Sequence, residues 1–247
     1  MQIGCFQNVG FLVLNSLACA RGKSRLVTKK NIAMTELNEQ QTRLTIKLVY
    51  YGPALSGKTT NLTRLHDMLA PELKGEMMTL ETEGDRTLYF DLLPLGFIAP
   101  SGLMIKFKLF TVPGQVAHDG TRKAVLSRAD GVMFVADSQS NQIYNNGASF
   151  DNLIANVGMV GLDLATLPLV VQFNKRDMPD ILSEQEIRER WSQAPWPVYF
   201  ASALEGSGVL ESFDALLAKI YDRLDAEFCF SGKHSLSRDA FIAAVRG

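Results

Sequence analysis

A chain of 247 residues, 47% hydrophobic and 21% charged, is long enough to bury one sizeable core with extensions to spare. Its formal net charge of −1 argues against a polyanionic partner such as nucleic acid. Three scattered cysteines (Cys5, Cys19, Cys229) and three dispersed histidines argue against a disulfide framework, a zinc cluster or a histidine metal site, and suit a reducing cytoplasm.

The first 33 residues hold five basic side chains (Arg21, Lys23, Arg25, Lys29, Lys30) and no acidic ones. Their apolar run, Gly10 to Ala20, is interrupted by Asn15 and Ser16 and is shorter than the roughly 20 residues a membrane-spanning helix needs. The positive charge follows the run, whereas a secretory signal places it in front. The preferred reading takes Met34 as the biological start; a weak membrane-surface contact through residues 1–33 competes with it.

From Arg43 onward short apolar runs alternate with helical stretches, the signature of a largely parallel sheet covered on both faces. Leu44–Tyr51 reads as a central strand and Thr59–Leu69 as the helix behind it. Between them, Gly52-Pro-Ala54-Leu55-Ser56-Gly57-Lys58-Thr59 fits the phosphate-binding loop. Gly52 and Gly57 let the backbone N–H groups of the loop point at a triphosphate. Lys58 sets a charge against the β- and γ-phosphates, the Thr59 hydroxyl ligates Mg2+, and Thr60 adds a second hydroxyl near the α-phosphate.

Thr87–Leu93 and Leu103–Thr111 read as strands joined by a Gly- and Pro-containing turn, forming one antiparallel edge. Gly131–Asp137, Leu167–Asn174 and Pro197–Ser202 supply three more strands, six in all. Asn174-Lys175-Arg176-Asp177 then falls at a strand's carboxyl end, where open α/β sheets bind ligands. Two Asp177 oxygens match the N1–H and 2-amino donors of guanine, whereas adenine would leave the carboxylate unmatched. Lys175 is expected along the ring face, Asn174 as a tie to the phosphate loop, and Ser202-Ala203 as a second base contact through backbone N–H. An ATP-using kinase is disfavoured by this element. Ser183–Glu186 is a capping box, Val209 to Leu224 a closing helix, and the residues after Phe230 are weakly patterned.

The combination of Tyr51–Leu62, Asp85-Arg-Thr87 through Asp91, Thr111-Val-Pro-Gly114-Gln115, Gly131–Ser138 and Asn174–Asp177 resembles the MglA family, Ras-like bacterial cell-polarity GTPases of gliding and pilus-driven motility. The resemblance runs from about Arg43 to Leu224. It implies an α/β fold of the P-loop NTPase type, with a Ras-like, mostly parallel six-stranded sheet, one antiparallel edge strand and helices on both faces. It divides the chain into an N-terminal extension (1–40, disordered or untranslated), a GTPase domain (41–228) and a C-terminal tail (229–247). It further implies a monomeric, cytoplasmic GTP/GDP switch, concentrated at a cell pole and served by a Roadblock-type activating dimer and polarity effectors. Thr87 would close on Mg2+ when a γ-phosphate is present, Gln115 beyond the Gly114 pivot would orient water, and Arg86 would act as an arginine finger in cis. Asp91 would give the metal support that Thr111 cannot, since a hydroxyl carries no charge. Alanine at position 54, where many Ras-like relatives have glycine, predicts slow hydrolysis without a partner. Together with Thr111 it also keeps open a second reading, a guanine-nucleotide scaffold with little hydrolysis.

Overall fold

The structure, a computed structural model, describes residues 43–81, 89–114 and 119–247. Among them seven strands form one sheet in the order β2-β3-β4-β1-β5-β6-β7. β1 (Arg43–Tyr51) lies at its centre, flanked by β4 (Met104–Thr111) and β5 (Gly131–Asp137), both parallel to it. β6 (Leu169–Asn174) and β7 (Val198–Phe200) extend the parallel run outward. β2 (Met78–Glu81) and β3 (Tyr89–Ile98) make the antiparallel edge, β3 pairing antiparallel with β2 and β4.

The alternation along β1 decides which layer each residue enters. Leu44, Ile46, Leu48 and Tyr50 face one core, and Val49 and Tyr51 the other. The first core is closed by α1 (Lys58–Met68) and the long α5 (Val209–Phe228). The second is closed by α2 (Asp119–Leu126), α3 (Ile143–Met159) and α4 (Glu184–Arg190), with Trp191 and Trp196 packed against Phe150. β5 and β6 are buried on both faces throughout, which is why they read as unbroken apolar runs. The expected capping box is present, with the Ser183 hydroxyl accepting from the Glu186 N–H at the start of α4.

Three details differ from the sequence reading. The sheet has a seventh strand, because the short, Glu-flanked Met78–Glu81 pairs along the edge of β3. The turn read between Leu93 and Leu103 is shorter than expected, since Pro94 and Gly96 lie inside β3. Pro94 fits there because the N–H it lacks would point to the outer edge, the side on which its carbonyl accepts from Gly75. The true turn is Ala99–Gly102, closed by Gly102 at φ +87°. The weakly patterned C-terminal residues also fold back. α6 (Phe230–Lys233), α7 (Arg238–Arg246) and the residues between them bury Phe230, Leu236, Phe241 and Val245 in the first core, and Phe241 meets Phe97 and Phe107 edge to face.

Candidate functional site

The parallel neighbours of β1 leave it on opposite sides, so the loop after Tyr51 opens into the crevice at the carboxyl ends of the strands. The loop is tight. A Cβ on Gly52 would lie 2.1 Å from the Val135 carbonyl oxygen, and one on Gly57 (φ +94°) would lie 2.2 Å from Asn174 Nδ2. Ala54 and Leu55 crown the loop in solvent, while Ser56 is buried with its Oγ lacking a hydrogen-bond partner. Gly57 caps α1 with no side-chain acceptor, and no acid sits in the first turn. That leaves the positive end of the helix for an anion, the arrangement phosphate-binding loops require.

Lys58 is buried, its Nζ donating to the carbonyls of Gly52 (3.1 Å) and Pro53 (2.6 Å). Burial foremost, and then the nearby Arg122 charge, lower its pKa to about 8, with Asp91 opposing both. The Thr59 hydroxyl donates to Asp91 Oδ2 at 2.5 Å. Thr111 donates to the same oxygen at 3.0 Å, and Thr79 to Oδ1 at 3.1 Å, so three hydroxyls satisfy one buried carboxylate. The Thr111 hydroxyl thus orients a carboxylate supplied by β3. A hydroxyl and a carboxylate side by side are hard oxygen donors and fit Mg2+. Thr60 stands exposed in the first turn of α1. Gly114 lies on the phosphate loop itself, since a Cβ there would be 2.3 Å from Ala54 Cα. Arg86, Thr87 and Gln115 lie outside the described residues.

The level ends of β5 and β6, Asp137 opposite Asn174, build the other half. Buried Asn174 donates through Nδ2 to the Ser56 carbonyl (2.9 Å) and accepts at Oδ1 from the Ala203 N–H (2.8 Å). Lys175, at φ +67°, turns back so that its Nζ lies 2.7 Å from Asp137 Oδ2. Asp177 is exposed to the crevice and accepts from Ser202 Oγ at 2.6 Å. Arg176 turns away, with Nη1 on the Leu182 carbonyl and its guanidinium 5.3 Å from the Phe200 ring.

The structure thus brings the phosphate loop, Asn174, Lys175, Asp177, Ser202 and Ala203 into one crevice. It changes how the last two enter. The Ser202 N–H is bonded to the Ser207 carbonyl and the Ala203 N–H to Asn174, so Ser202 reaches the site through its hydroxyl on Asp177. Sequence reasoning missed Asp137, whose signal was an acid ending a wholly apolar strand. It also missed Arg64, which holds the carbonyls of Ala203 (3.2 Å) and Leu204 from α1.

The sequence model of the ADP-ribosylation factor family matches residues 33–220. The Mutual gliding-motility protein MglA of Myxococcus xanthus (strain DK1622) is 42% identical over 191 residues, covering 77% of this chain and 98% of that protein. ADP-ribosylation factor-like protein 2 of Drosophila melanogaster is 25% identical over 195 residues, 75% of this chain and 92% of its own length. ADP-ribosylation factor-like protein 6 of Caenorhabditis elegans is 24% identical over 180 residues, 71% and 86% respectively.

Proposed function

The chain belongs to the ADP-ribosylation factor family, in its MglA-type Ras-like branch, and on that premise we propose how its own residues run a GTP-hydrolysing switch that controls cell polarity or surface motility. The protein is a small GTPase that binds guanine nucleotides and cycles between GTP and GDP forms.

When GTP enters, Lys58 leaves the carbonyls of Gly52 and Pro53 for the β- and γ-phosphates, and the backbone from Ala54 to Gly57 wraps the phosphate chain. Asp177 reads the guanine edge, steadied by Ser202, while Asn174 keeps its loop locked to the phosphate loop and Lys175 lies along the base. Thr59 and Asp91, with Thr87, would hold Mg2+. When bound, that ion neutralises charge on the β- and γ-phosphate oxygens. Gly114 senses the γ-phosphate from its seat on Ala54, Gln115 orients the attacking water, and Arg86 neutralises the charge growing on the leaving oxygen. A Roadblock-type dimer assembles Arg86 and Gln115, and polarity effectors read the GTP form at a cell pole.

The observation that carries this reading is the Asn174 amide, which bonds a phosphate-loop carbonyl on one side and the loop after β7 on the other. Mass spectrometry of the nucleotide that co-purifies with the protein tests it, with GDP or GTP as the expected occupant. Recovery of adenine nucleotides, or indifference to guanine nucleotides in calorimetry, overturns it. Single-turnover hydrolysis with and without a Roadblock-type dimer tests the activator, and an unchanged rate removes that partner.

A further inference from the structure

The helix that begins at the phosphate loop also grips the loop that serves the base. Arg64, half-buried on α1, donates through Nε to the Ala203 carbonyl (3.2 Å) and through Nη2 to the Leu204 carbonyl. Its stem passes close to Gly206, where a Cβ would come within 3.3 Å of Arg64 Cδ. A guanidinium holds its donors in one rigid plane, so it sets both carbonyls at once. Three residues earlier on the same face of α1, buried Asn61 accepts at Oδ1 from Gln172 Nε2 (2.9 Å). The same Gln172 nitrogen donates to Ser212 Oγ (2.8 Å), and the Ser212 hydroxyl donates to the Gly208 carbonyl (2.8 Å). Residues 202–208 are therefore tied to α1 near their start and at their end.

Packing alone does not ask for these ties. Among the described residues Gln172 Oε1 has no hydrogen-bond partner, a penalty that an apolar side chain at that point of the core would avoid. What the ties hold is the aim of one carboxylate. Ser202 Oγ donates to Asp177 Oδ1 at 2.6 Å. Ser202 is itself placed by the loop, its N–H on the Ser207 carbonyl and its own carbonyl accepting from the Gly206 N–H. Asp177 is exposed, so a carboxylate that loses Ser202 gains freedom to rotate.

We propose that Arg64 is a positioning residue for guanine recognition, seating the loop after β7 so that Ser202 orients Asp177 toward the two donors of the base. The inference rests on the reading of Asp177 as the residue that meets the guanine edge. Hypoxanthine keeps the N1–H of guanine and lacks the 2-amino group. The preference for GDP over inosine diphosphate therefore reports how well the carboxylate is aimed. A change that only loosens the fold or the phosphate loop weakens both nucleotides by one factor and leaves that preference alone.

The test uses the full chain with Mg2+ and measures GDP and inosine diphosphate in competition with fluorescent GDP. Arg64→Ala removes a half-buried side chain and leaves the apolar core whole. It should weaken GDP about tenfold and inosine diphosphate by no more than about threefold, so the preference shrinks. Ser202→Ala should do the same, and the double variant should lose no more than the worse single change, as members of one unit do. Asp177→Ala is the control and should abolish the preference. Equal losses of both nucleotides in Arg64→Ala, with the preference gone in Asp177→Ala, make Arg64 a structural tie and overturn the proposal while the base assignment stands. Additive losses in the double variant, or a native preference in Ser202→Ala, overturn it too, because the effect then does not run through Ser202. A native preference in Asp177→Ala removes the base assignment, and the positioning role falls with it.

Discussion

Lys58 is the residue whose chemistry the structure changes most. Its pKa, about 8 against an ordinary 10.5, means the folded chain has released a proton that the unfolded chain keeps between roughly pH 8 and 10.5. In that window the unfolded state binds more protons, so stability from this group rises with pH. Binding of a polyanion works in the other direction, because phosphate oxygens favour the ammonium. Calorimetry of GDP binding in two buffers of different ionisation enthalpy should show uptake of up to about one proton near pH 9 and none near pH 6.5, with affinity weakening as pH rises. At the other end of the crevice, Asp177→Asn keeps an oxygen for the Ser202 hydroxyl to donate to and presents an amide donor to the base. Preference should move from GDP to xanthosine diphosphate, with guanine discrimination falling by about 10⁴ in competition binding. These residues were legible because each chemistry is local: a loop pattern, or four consecutive side chains. Asp137 and Arg64 were not, since their roles depend on which strand and helix ends the fold sets side by side.

The elements bring those ends together through close approaches that only glycine permits. Gly57 combines a left-handed φ with 2.2 Å from its would-be Cβ to Asn174 Nδ2. Gly57→Ala should strain the loop by about 1–3 kcal/mol and break the bond from Asn174 to Ser56. The expected result is at least about tenfold weaker GDP binding by titration, in a protein that still folds. The strand carrying Asp91 shows why element boundaries were harder to read than motifs. Pro94 and Gly96 signal a turn in any local reading, and their tolerance inside β3 depends on the outward edge, a property of the neighbours. Strand β2 is four residues with little β-branched content, and its existence depends on pairing with β3.

Across the whole molecule, the C-terminal helices belong to the core. Phe230, Leu236, Phe241 and Val245 each bury a side chain worth about 1.5–3 kcal/mol, against a domain stability of about 5–15 kcal/mol. Deleting residues 230–247 should therefore lower the thermal midpoint by more than about 10 °C, or leave a chain that binds a hydrophobic dye, measured by circular dichroism and dye fluorescence. Ordinary helical spacing in α7, with Phe241 and Val245 four apart, was present in the sequence but too short to stand out. The sheet's parallel body was readable from its apolar runs, because burial on both faces leaves no other composition for β5 and β6. Asn174 draws the two ends of the crevice into one object. A purine fragment that settles its loop has already stiffened the cradle for a diphosphate, and the reverse holds equally. The two halves of a nucleotide should consequently recruit one another even when the bond between them is cut.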